Sequence, residues 1–180
     1  MSFLEVKNIQ GIEKISFNGS LALSIIKIEN IPPHLTLICD DEEFHLTLDG
    51  AVHTIGLAKR ERVISLRKMQ CLFFEIELNN DVAGIKSSLK EIINSYKGVN
   101  GWEVSCLEPI KDFFKQQYQI DVSDVSFVFE LIPKLEAKGL VKNRYHKNLA
   151  GKITDGTFKF KTYTKQDIVD YINTIKLVNA

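Results

Sequence analysis

The chain has no surplus of charge of either sign: Lys plus Arg equals Asp plus Glu at 23 each, for a formal net charge of zero. A protein that grips nucleic acid through its phosphates needs a basic excess, so the composition argues against that class. One local exception runs from Lys138 to Lys152, where Lys138, Lys142, Arg144, His146, Lys147 and Lys152 occur with no acid among them. Read from sequence, it is a solvated basic loop. Long apolar runs are missing as well. Nothing approaches the roughly 20 residues that cross a bilayer. The opening MSFLEVKNIQGIEK has acids and no apolar run of signal-peptide length, so the expectation is a cytoplasmic protein with no membrane span. Cysteine is scarce. Cys39, Cys71 and Cys106 are odd in number and lack CxxC spacing, which argues for reduced thiols and against a disulfide framework or a zinc site. Repeats, low-complexity segments and interdomain linkers are absent too, and residues 1–180 read as a single domain.

What is present is an ordinary globular composition, 44% apolar and 26% charged. The first 80 residues read as strands: FLEVKNI, IEKISF, LALSIIKIE, HLTLIC, EFHLTL, AVHTIGL, RVISL and CLFFEIEL. Turn chemistry separates several of them at Asn18-Gly19, Pro32-Pro33, Asp40-Asp41 and Asp49-Gly50. Helical spacing then takes over. Asp81 is placed to cap a helix through Tyr96 with Ile85, Leu89, Ile92 and Ile93 on one stripe and Gly98 past its end. Ile110, Phe113, Phe114 and Tyr118 mark the next helix. A third spans 124–139 with Pro133 inside it. TFKFKTY alternates as a late strand, and Thr164 with Asp167 opens a last helix through Ile175. Strands, then helices, with no βαβ alternation, predict an α+β fold with an antiparallel sheet.

Cys106 sits between an extended stretch and the helix that begins near Pro109. The positive end of a helix dipole favours a thiolate there. As a nucleophile it needs a base and a group to orient that base. In PPHLTLICDDEEFHLTLDG, Leu35, Leu37 and Cys39 take one face of a strand, and Phe44, Leu46 and Leu48 one face of its partner. His34 and His45 then share the opposite face. The register decides whether Asp49, Thr47 or His45 lies across from His34. His53 and His146 read as structural or exposed.

The stretch HLTLICDDEEFHLTLDGAVHTIGL resembles the histidine hairpin of the NlpC/P60 group of papain-like cysteine hydrolases. GIKSSLKEIINSYKGVNGWEVSCLEPIKDFF resembles that group's cysteine segment: helix, glycine turn, aromatic, short strand, then a cysteine heading a helix. With His first and Cys later, the order is that of the circularly permuted members, including the lecithin-retinol-acyltransferase-like branch. The resemblance covers residues 19–120, with 121–180 as an extension of the same domain. It implies a papain-like α+β fold, Cys106 as nucleophile, His34 as base and His45 as the orienting residue. The reaction would be hydrolysis or acyl transfer at an amide or ester of a peptide, conjugate or lipid, with no cofactor and no metal. A thiol beside an imidazolium is expected to ionise well below about 8.5. The opposing expectation is a non-catalytic interaction module on the same or another α+β scaffold.

Overall fold

The structure, a computed structural model, describes residues 2–100 and 104–178. Two short strands open the chain, β1 (Phe3–Val6) and β2 (Ile9–Gly11). An antiparallel meander follows: β3 (Leu21–Ile26), β4 (His34–Cys39), β5 (Glu42–Thr47) and β6 (Gly50–Ile55). The β4–β5 turn is Asp40 and Asp41, with φ of 52° and 59°. That left-handed pair matches the twist of a two-residue hairpin, and Asp tolerates it. The turn's carboxylates also hold the preceding loop, Asp40 accepting from the Gly19 N–H at 2.9 Å and Asp41 from the Phe17 N–H at 2.5 Å.

After β6 comes α1 (Ala58–Leu66), which corrects one expectation: RVISL is helical, not a strand. Leu57 and Ile64, two turns apart, bury against the sheet, and Lys59, Glu61 and Arg62 stay outside the core. IEKISF is no strand either. Its Ile15 and Phe17 pack as an irregular segment over the same sheet face. β7 (Cys71–Ile76) then pairs with the free side of β3. α2 (Val82–Asn94) starts at Asp81, whose carboxylate accepts from the Gly84 N–H at 2.6 Å. α3 (Glu108–Tyr118) carries Pro109 in its first turn, and α4 (Val128–Ala137) contains Pro133.

β8 (Val141–Lys147) is a further correction, because the basic segment expected as a loop is a strand of the large sheet. Several of its polar side chains are paired. Arg144 meets Glu136 at 2.7 Å, and Asn143 donates to Glu75 at 2.7 Å. β9 (Ile153–Thr154) and β10 (Thr157–Lys161) follow, then α5 (Lys165–Val178). Thr164 and Asp167 form the reciprocal cap expected for α5, at 2.7 and 3.2 Å.

The fold is α+β. A seven-stranded sheet runs β2-β8-β7-β3-β4-β5-β6, antiparallel except for β2 with β8, and a small sheet runs β1-β10-β9. Residues 121–180 therefore complete both sheets. Strand alternation divides the large sheet into two cores. Leu23, Ile25, Leu35, Leu37, Phe44 and Phe74 face α2, α3 and α4. Ala22, Ile26, Ile38 and Phe73 face α1 and the 12–17 segment. Among the described residues no helix is long and apolar enough to cross a membrane.

Candidate functional site

The histidine strand and its partner begin tightly paired and then separate. Leu37↔Phe44, Ile38↔Glu43 and Cys39↔Glu42 form the β4–β5 ladder next to the turn, and the pairing stops there. β4 nevertheless stays on β3 as far as His34↔Ile26, and β5 stays on β6 as far as Thr47↔Gly50. The sheet thus opens between His34–Thr36 on one side and His45–Thr47 on the other. This register, carried past the last pair, would set Thr47 across from His34. Because the ladder is open, the His34 ring meets His45 instead, edge to face with centroids 4.9 Å apart. Thr47 spends its hydroxyl on the Gly50 carbonyl at 3.0 Å, and the Asp49 N–H bonds Thr47 Oγ1 in the exposed turn. Neither of those two orients His34.

Cys106 lies on the other face of the sheet, with α3, whereas His34 shares the α1 face with Ile26 and Ile38, so the structure brings His34 to His45 but does not set either ring directly against the thiol. The cysteine lies just before α3, as Pro109 in the first helical turn requires, half-buried against the core that contains Leu35 and Leu37. The backbone N–H of Leu35, next to His34, acts on its sulfur, as does its own N–H. Cys106 and His45 also line one small space, of about 10 Å³, beneath α2 and α3. Outward, the thiol borders a cleft of about 240 Å³ whose walls include Pro32, Pro33, Phe127, Tyr163 and Lys165. Gly101, Trp102 and Glu103, which carry the aromatic and the start of the short strand expected before the cysteine, lie outside the described residues.

The electrostatics correct the expectation of a preformed ion pair. Burial pushes the Cys106 thiol up, and the Leu35 and Cys106 N–H groups only oppose that rise. His34 is held down at about 4, by burial first, then by His45 and Arg60, with Glu43 pulling the other way. His45 is also lowered to about 4, by burial and then Arg60. At neutral pH the resting site holds a thiol and two neutral imidazoles. The helix start is also less open than expected. Ser105 takes the Leu107 N–H on its hydroxyl at 3.2 Å and the Glu108 N–H on its carbonyl at 3.2 Å.

His53 stacks on Phe44 and bonds Glu42 at 2.5 Å, on the α2 side, away from the histidine pair. His146 is buried in β8. Among the described residues no cluster of His, Cys, Asp and Glu is arranged to hold a metal. Sequence reading missed the polar floor beneath the pair. Glu43 is 1% exposed and ion-paired to Arg60 at 2.8 Å, and Ser24 and Thr36 are fully buried beside one another on β3 and β4. Strand parity was the available signal, since Glu43 shares the face of His45, but the acidic run DDEE reads as a solvated turn.

Comparisons with protein-family models, with curated proteins and with solved structures each find no match to this chain.

Proposed function

We propose that the chain is a thiol-dependent hydrolase or acyltransferase acting on an amide or ester, with Cys106 as nucleophile and His34 as base. The observation that supports this most is the placement of the thiol. It lies just ahead of a helix, at the one stretch where β4 and β5 part, against the backbone of the residue after His34 and bordering an open cleft. The resemblance to the permuted NlpC/P60 hydrolases points the same way.

The resting charges select the order of events. His34 starts from the α1 face and the thiol from the α3 face, so the ring must swing through the gap between β4 and β5; there a neutral imidazole accepts the S–H proton as sulfur attacks the carbonyl carbon, and no thiolate need exist beforehand. The C–S bond forms, and the carbonyl electron pair moves to oxygen. The backbone N–H groups of Leu35 and Cys106, which act on the sulfur, are the donors proposed for that oxyanion. On collapse the His34 imidazolium gives its proton to the departing amine or alkoxide. Water then cleaves the thioester in hydrolysis, or a second nucleophile does so in acyl transfer.

The test uses p-nitrophenyl acetate as an acyl donor and intact-mass detection of acetylated Cys106. The wild-type chain should acetylate at that residue, Cys106→Ala should not, and His34→Ala should slow the reaction by about 10²-fold or more at neutral pH. Acetylation of Cys106 at an equal rate with and without His34 would leave the interaction-module reading standing.

A further inference from the structure

Four side-chain atoms beneath the histidine pair are buried without a hydrogen-bond partner: Ser24 Oγ, Thr36 Oγ1, Glu43 Oε1 and His45 Nδ1. Each such atom carries a desolvation penalty, and four on one sheet face mark a place where the chain keeps polarity at a cost. The geometry links two of them. His45 Nδ1 stands 3.8 Å from Glu43 Oε2, two residues back on the same face of β5. That gap is too short to admit a bridging water and too long for a hydrogen bond, so the carboxylate acts on the ring through its charge. Glu43 is fixed from the other side by Arg60 Nε at 2.8 Å, reaching in from α1.

We infer that Glu43 is a positioning residue that sets the tautomer of His45 and, through it, the orientation of the His34 base. This rests on the reading of His34 as the base. A carboxylate only accepts, so the nitrogen of His45 facing it must carry the proton. The other nitrogen, Nε2, is then an acceptor, free to take the N–H of the neighbouring His34 ring. With that N–H engaged, the remaining nitrogen of His34 is the lone-pair acceptor that the S–H proton requires. No proton leaves this relay during attack. His34 gains one from sulfur and returns it to the leaving group, and Glu43 offsets the transient imidazolium charge through His45.

The charges facing the pair fit this role. Arg60 and Lys27 act on His34 as cations, Arg60 acts on His45, and Glu43 is the anion acting on His34. Arg60 holds the carboxylate in place while discouraging either imidazole from protonating at rest.

The experiment reads tautomers directly, by ¹⁵N-edited NMR of the histidine rings of the full chain, with the His45 signals assigned by their loss in His45→Gln. Wild-type protein should show His45 protonated at Nδ1. Glu43→Gln should mix or reverse that tautomer and slow acetylation of Cys106 by p-nitrophenyl acetate by roughly tenfold or more, a share of the 10²–10⁴ expected from the base. A purely structural Glu43 would lower the melting temperature and leave the tautomer alone. The inference is overturned if wild-type His45 carries its proton on Nε2, a result that needs no variant to fold. It is equally overturned if Glu43→Gln leaves tautomer and rate unchanged. If instead His34→Ala leaves acetylation untouched while the His45 tautomer still follows Glu43, it is the base assignment that fails.

Discussion

The His34 ring meets His45 edge to face, with centroids 4.9 Å apart, although their strands are no longer paired where the two residues stand. The contact exists because β4 and β5 separate beyond Leu37↔Phe44. A continuous ladder would have set Thr47 opposite His34 instead.

Cys106 should react with iodoacetamide at a rate that climbs steadily with pH and does not level off near pH 6, because burial holds its thiol above the ordinary value. Cys39 and Cys71, pushed up to about 11 and about 12 and fully buried, should stay unlabelled until the chain unfolds. Mass spectrometry of alkylated peptides from pH 5 to 9 provides the check. A plateau at low pH would show a thiolate–imidazolium pair already formed at rest.

Acid should destabilise the fold through its histidines. Unfolded, each imidazole takes a proton below about 6.5, whereas folded His34 and His45 do so only near 4. Between those values the unfolded chain binds more protons, so stability falls as pH drops through the window and levels off below it. The two together should cost on the order of 5 kcal/mol between pH 7 and pH 4.5, seen as a melting temperature about ten degrees or more lower at the acid end. His34→Gln with His45→Gln should flatten that slope. An unchanged slope in the double variant would assign the acid loss to other groups.

Gly98→Ala should destabilise more than Gly139→Ala. Gly98 has φ +147°, and a Cβ there would stand 2.6 Å from the Leu48 carbonyl oxygen, a backbone atom that cannot step aside. Gly139 has φ +68° with nothing within 4 Å. The first should cost about 2 kcal/mol or more and the second about 1 kcal/mol. The neighbouring Val99 N–H donates to Thr47 O at 2.8 Å, so the loss should also loosen the end of β5 that carries His45. Urea unfolding of both variants compares them. Equal costs would mean that the 97–99 segment moves freely against the hairpin.

Much of the fold follows from local chemistry, which is why the sequence alone determined it. The meander of alternating strands, the Asp81 cap of α2 and the Thr164–Asp167 cap of α5 depend on residues close in sequence. The parity that puts His34 and His45 on one face is local too. Where sequence failed, the deciding partner was distant. RVISL has strand composition, yet α1 forms because Leu57 and Ile64 find a sheet face to cover. KNRYHK lacks apolar alternation, yet β8 forms because β7 and β2 flank it and Glu75 and Glu136 pair its polar side chains. Tertiary structure alone decided the opening between β4 and β5, which depends on what β3, β6 and the helices hold apart. It also decided the charge of the site. A histidine's or cysteine's proton answers to how much water the whole fold removes, and desolvation here left thiol and imidazole neutral where the local motif predicted an ion pair.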